Sequence, residues 1–204
     1  MSAPDLPARR RVPSLRKDER GVAAVEFAFV APIMLALLVG LVDISSALSM
    51  KWRVVQLNRT LADLTSQSNS LTTAQIDNIF TASAVVLSPY NGKLPRMEIS
   101  SVVVGTDRKA RVCWSEARED GKPGTLLKTV AGLTKGTIVP LPNNDMAVPT
   151  YSYIVATTKL DFGGNLTPSF QISSKPMFFR PRAGNTTTNS QQVERSGQPV
   201  CAAT

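Results

Sequence analysis

The chain has 204 residues, 43% of them hydrophobic, with 23 Lys and Arg against 15 Asp and Glu for a net charge of +8. It contains no histidine and only two cysteines. That composition excludes Ser-His and Cys-His nucleophile pairs, imidazole general bases and all-thiolate zinc sites, so no catalytic residue, metal or cofactor is expected and the chain is not expected to be an enzyme.

Residues 1–20 are basic and rich in proline. Arg9, Arg10, Arg11, Arg16, Lys17 and Arg20 face only Asp5, Asp18 and Glu19, and Pro4, Pro7 and Pro13 oppose regular structure. From Val22 to Val42, 18 of 21 residues are apolar, the exceptions being Glu26, Pro32 and Gly40. A helix of that length matches a hydrocarbon core of roughly 30 Å. The run predicts a membrane span, with a buried core helix and a cleaved secretory signal ending near Ser45-Ser46-Ala47 as the alternatives. Basic residues concentrate upstream, so the N-terminus is expected in the cytoplasm and the rest of the chain outside it.

Within that run, Glu26 is the residue that calls for an explanation. An ionisable side chain in a bilayer is costly unless paired, protonated or near an interface. Two readings stand: a functional acid, or a shallow residue reaching the headgroups. Pro32 removes one helical hydrogen bond, which fits either a kink or simple tolerance in lipid.

The stretch Lys17-Asp18-Glu19-Arg20-Gly21-Val22-Ala23-Ala24-Val25-Glu26-Phe27 resembles the processing region of type IV prepilins, in which a basic leader ends in Gly and the fifth residue after it is Glu. With the apolar run, Pro32 and Asp43 at its far end, residues 19–61 more narrowly resemble the TadE-like family of minor pilins, or pseudopilins, of the Flp or Tad pilus system. Phe27 stands where the major Flp pilin usually has Tyr, which favours the minor component.

The resemblance implies cleavage by a membrane prepilin peptidase between Gly21 and Val22. Glu26 would then neutralise the new ammonium of a neighbouring subunit and set the axial register of packed helices. It also implies partners: the peptidase, other major and minor pilins, and the inner-membrane assembly platform, with surface adhesion as the filament's task. The implied location is the cytoplasmic membrane in a single pass, with a periplasmic or extracellular domain. The alternative is a permanently anchored extracytoplasmic binding domain, for which residues 1–42 are only a tether.

Beyond Asp43 the pattern stays helical. Ile44, Leu48, Trp52 and Val55 form one apolar row and Val54, Leu57, Leu61 and Leu64 an adjacent one, so the outer half of a long helix is expected to lie on the domain as core. Thr72 and Gln75 fit a capping box, with Leu71 and Ile76 as its hydrophobic staple, opening a second helix that runs to Pro89. Met97–Val104 and Ala110–Trp114 predict a hairpin, and Tyr151–Leu160 a third strand. Leu126–Leu133 fits a short strand or a helix, and Met177–Phe179 an edge strand. The expected class is therefore α+β: a long N-terminal membrane-spanning helix continuing into a small domain with a second helix and an antiparallel sheet. The expected divisions are a leader at 1–21, a span at 22–42, an exported domain at 43–182 and a polar tail at 183–204.

Residues 183–199 have almost no apolar content and are expected to be mobile. Cys201 follows them, and on the exported side of a membrane it is expected to pair with Cys113. Phe179-Arg180-Pro181-Arg182 is similar to an aromatic-Arg-Pro-Arg run that closes the domain in many TadE-like proteins. Asp161-Phe162-Gly163 and the three Asn-X-Thr triplets are read as chance composition. The remaining basic residues form no run interleaved with aromatics, so nucleic-acid binding is not expected.

Overall fold

The computed structural model describes residues 20–87, 95–119, 127–163, 168–182, 191–198 and 201. The expected leader, apart from its last two residues, lies outside these, as do the Gly121 to Gly124 stretch and residues 183–190 of the expected tail. The chain divides into two units, Met1–Val42 and Asp43–Thr204.

Helix α1 runs from Arg20 to Ser66 and continues through Pro32. Proline has no N–H, so the Ala28 carbonyl loses its helical donor there. In the first unit, none of residues 21–42 is buried.

In the second unit, the buried apolar residues of α1 are Met50, Val54, Leu57, Leu61 and Ala62. Their spacing of four, three, four and one forms a single stripe. The other predicted row lies elsewhere: Ile44, Leu48 and Trp52 are 66%, 54% and 65% exposed. This corrects the expectation that both rows are core. A helix can turn only one stripe toward a sheet, and the row through Val54 is the one that meets it.

Strand β1 (Ser70–Leu71) leads into α2 (Thr73–Ala84). The capping box forms as predicted: the Gln75 N–H donates to Thr72 Oγ1, and the Thr72 N–H donates to Gln75 Oε1 at 2.9 Å. Ile76, Phe80 and Ser83 turn inward, and a short 3-10 turn at Val85–Leu87 buries Leu87.

The sheet follows. Strands β2 (Arg96–Val104), β3 (Ala110–Glu119), β4 (Lys128–Val130), β5 (Ile138–Val139), β6 (Ser152–Phe162), β7 (Phe170–Ser173) and β8 (Met177–Phe179) form one seven-stranded sheet. Its order is β4-β3-β2-β6-β7, with β5 also on β3 and β8 also on β6, and every pairing is antiparallel. The predicted hairpin is β2–β3, and the open choice at Leu126–Leu133 resolves as the strand β4. Strands β5 and β7 were not anticipated. They are two and four residues long, and their pairing to β3 and β6 rather than their composition makes them strands.

Side chains alternate across the sheet. Met97, Ile99, Val103, Ile154, Ala156 and Leu160 join the helices in the main core. Val102, Val104, Val112, Tyr153 and Val155 form a smaller cluster beneath Leu141, Met146, Tyr151 and Phe178.

Alternation breaks at one place. Ser101 opposes Trp114 and Val102 opposes Val112, so Cys113 is the extra residue of a β-bulge. Cys113 and Trp114, adjacent in sequence, consequently both belong to the main core.

Several buried polar groups in the second unit have specific partners, whereas the Ser83 and Ser101 hydroxyls have none among the described residues. Asn58 on α1 is fully buried; its amide donates to the Ala156 carbonyl at 3.2 Å and to Ser174 Oγ, and it accepts from Thr158 Oγ1. Asn58, the first residue of the Asn58-Arg59-Thr60 triplet, is thus a structural contact between helix and sheet.

Candidate functional site

Of the residues that carry the family resemblance, Gly21, Val22, Glu26, Phe27 and Pro32 lie in the first four turns of α1, Asp43 opens the second unit and is buried, and Lys17 to Glu19 lie outside the described residues. A Cβ added at Gly21 would meet nothing within 4 Å, so the backbone there is open to approach. Val22 and Phe27 are 56% and 69% exposed, and Glu26 is exposed one turn beyond Val22 on the same helical face. Exposed apolar side chains at Phe29, Ile33, Met34, Leu35, Leu37, Leu38 and Leu41 extend the segment. Among the described residues this is the one helix long and apolar enough to cross a membrane. Such a surface gains nothing from water and is suited to lipid or to other apolar helices.

A second assembly of functional groups surrounds the C-terminal residues. Cys113 and Cys201 form a disulfide with Cα atoms 5.7 Å apart, across 88 positions of sequence. Beside it, the Trp114 indole donates to the Val193 carbonyl at 2.8 Å, and the Gln192 amide donates to the Cys201 carbonyl at 2.7 Å. Glu194–Arg195 forms strand β9, parallel to β1.

Residues 191–198 are therefore packed, with Gln192, Val193 and Arg195 buried, in contrast to the mobile segment predicted over 183–199. Low apolar content did not prevent ordering here, because specific hydrogen bonds and a covalent link replace a broad hydrophobic face.

Arg195 carries much of that role. Its guanidinium donates to Glu116 Oε1 at 3.1 Å, to the Leu71 carbonyl at 3.0 Å and to Thr73 Oγ1 at 2.9 Å. Glu116 also accepts from Arg118, a residue 1% exposed that pairs with Asp77 Oδ1 at 2.7 Å and lies 5.3 Å from the Phe80 ring centroid. One carboxylate on β3 thus joins the C-terminal strand to α2 through two arginines. Nothing in the order of residues announced this network, since Arg118 and Arg195 look like ordinary surface charges.

The Phe179 to Arg182 motif splits its arginines. Arg182 pairs with Asp63 of α1 at 2.8 Å, and its N–H donates to the Ser66 carbonyl at 2.8 Å. Arg180 lies over the Tyr151 ring, 4.0 Å from its centroid. Together with Thr150, Ser152, Pro181 and Gln191 these two line a cavity of about 240 Å³. Thr150 has φ +73°, a costly conformation for a β-branched residue. Nearby, burial pushes the Tyr153 phenol above its ordinary range, and its hydroxyl donates to the Met146 carbonyl at 3.0 Å. In the β2–β3 turn, the Arg111 guanidinium holds the Asp107 carboxyl well below the usual carboxylate range.

Among the described residues no group of three His, Cys, Asp or Glu side chains is placed to hold a metal ion.

Comparison with curated proteins returned no significant match. Comparison with solved structures returned none either. Residues 21–60 match the family model described as TadE-like protein, an interval that opens on Gly21 and includes Glu26, Phe27, Pro32 and the inner part of the domain's helix. The N-terminal segment of this chain is thus TadE-like, as the motif from Arg20 to Ala28 indicated.

Proposed function

We propose that the chain is a minor pilin or pseudopilin of a Flp/Tad-type pilus, made as a membrane precursor and cut after Gly21 by a prepilin peptidase. The observation that carries this reading is the TadE-like match beginning at Gly21 on an exposed apolar helix with Glu26 one turn beyond Val22. Cleavage leaves an ammonium at Val22. In a low-dielectric setting that charge and the Glu26 carboxylate of a neighbouring subunit attract strongly, and each unpaired would bear a desolvation cost. The pair fixes how far one helix slides along the next, while the apolar side chains around it supply non-directional contact.

The partners in this reading are the peptidase, other major and minor pilins, and the inner-membrane assembly platform. The N-terminus faces the cytoplasm, and the domain with its disulfide faces the oxidising side. The mature chain is incorporated into a filament or primes it, and surface adhesion is the outcome.

Intact mass of the protein from membranes of its native host tests the reading. A chain beginning at Val22 is expected, and an uncleaved chain overturns it. A Glu26→Ala variant is expected to remain membrane-bound but fail to assemble; normal filament incorporation of that variant would remove the role given to the acid.

One observation favours the anchored binding domain as a second reading: the cavity at Tyr151 and Arg180, with a strained Thr150 on its wall. In that case the chain stays uncleaved.

A further inference from the structure

The apolar row that the domain leaves exposed requires an occupant. Ile44, Leu48 and Trp52 lie on the solvent side of α1 in the second unit, while Asp43, Met50 and Val54 are buried. At about 100° per residue, Ile44, Leu48, Lys51, Trp52, Val55 and Arg59 fall within one sector of about 100°. The face is therefore apolar and basic together, with an indole between its two cations. Neither Lys51 nor Arg59 forms an ion pair with a described residue.

That combination separates two possible coverings. A partner helix would favour an uncharged stripe, or charges matched by acids of its own. A lipid headgroup layer favours an indole at the boundary, aliphatic side chains on its inner side, and Lys or Arg beside the phosphates.

Sequence position supports the second covering: Ile44 comes two residues after the apolar run ends at Val42, and Lys51 and Trp52 follow within ten, where a spanning segment gives way to the headgroup layer.

We infer that the Ile44, Leu48 and Trp52 face, with Lys51, is an interfacial anchor seated in the outer headgroup layer of an anionic phospholipid bilayer, with Arg59 about 10 Å beyond Trp52 along the helix and within reach of the negative surface potential. The membrane-contacting part of α1 therefore extends beyond Val42 to Trp52. The inference rests on α1 being a membrane span and goes beyond it, because a tether alone would leave Trp52 in water.

The chain has two tryptophans, and Trp114 is buried. Subtracting the emission of a Trp52→Phe variant from that of the full chain therefore isolates Trp52. The probe is the full chain reconstituted in vesicles of phosphatidylcholine and phosphatidylglycerol, with flotation confirming insertion.

The expected result is a blue-shifted difference spectrum, quenched more by spin labels at the headgroup or upper acyl chain than by labels at mid-bilayer. Lys51→Glu with Arg59→Glu is expected to shift the ratio of lipid-shielded to water-exposed Trp52 by about fivefold per residue toward water. Floated vesicles in which Trp52 emits as in water and stays fully open to acrylamide would overturn the anchor while leaving the span intact. Shielding that rises with the protein-to-lipid ratio would overturn it in favour of a second copy on this face. Failure to float would overturn the span reading and the anchor with it.

Discussion

The Trp114 indole and the Val193 carbonyl meet at 2.8 Å, tying a sheet strand to the C-terminal segment 79 positions away. The contact exists because the bulge at Cys113 directs two consecutive side chains to one face. Trp114 then holds the strap by hydrogen bond while Cys113 holds it covalently.

Opening the disulfide is expected to loosen the strap. In the chain-entropy model a closed loop of this size stabilises by roughly 4 to 5 kcal/mol. A Cys113→Ala, Cys201→Ala chain should lose a large part of that in denaturant unfolding, and Trp114 should become more accessible to acrylamide. Unchanged Trp114 accessibility would show that the hydrogen bonds of residues 191–198 suffice.

The two charges of the Arg118–Asp77 pair should respond unequally to substitution. Arg118→Met is expected to destabilise by about 3 kcal/mol, the lower end for breaking a buried pair, because Asp77 is half exposed and can hydrate while Glu116 keeps Arg195. Asp77→Asn is expected to cost no more than about 1 kcal/mol, since Arg118 retains Glu116 and the Ala117 carbonyl. Equal losses in chemical denaturation would contradict the network as drawn.

A single methyl group tests the packing against β3. A Cβ at position 132 would lie 2.4 Å from Ser115 Oγ and 3.0 Å from the Ser115 backbone carbonyl carbon. Ser115 Oγ donates to Glu98 and accepts from the Leu133 N–H, so it cannot move without losing bonds. Gly132→Ala is expected to lower stability by about 1–3 kcal/mol in thermal or denaturant unfolding.

Alkaline pH should act through Tyr153. Burial raises its folded-state pKa above the ordinary value of about 10, so the folded chain holds the phenol proton more tightly than the unfolded one. The associated stability is fully present below pH about 10 and declines as pH rises through the folded pKa. Tyr153→Phe should remove that alkaline decline, losing about 1 kcal/mol at neutral pH with the bond to the Met146 carbonyl. An identical alkaline limb in the variant would assign the effect to other groups.

Local signals in the chain translated directly into structure. Thr72 and Gln75 cap α2 because a capping box needs only residues three apart, and Met97–Val104 with Ala110–Trp114 form a hairpin because its turn lies between them. The apolar run and the Gly21 to Glu26 spacing were legible for the same reason. The failures were all non-local. Both rows of α1 had the right period, and only contact with the sheet decided that Leu57 and Leu61 are core while Leu48 and Trp52 are exposed. The segment around Val193 lacked an apolar pattern, and its partners lie on strands and turns far away in sequence.

By itself, the sequence determined the α+β class, the long apolar helix with its TadE-like motif, and the two cysteines that could join. These follow from periodicity, local capping and turns, and composition, all of which act over a few residues. Tertiary structure alone decided which helical row is left for another surface, how a bulge sets Cys113 beside Trp114, and how Glu116 is shared between Arg118 and Arg195. Those outcomes depend on strand register and on which faces meet, and a shift of one residue in register would send each side chain to the opposite face.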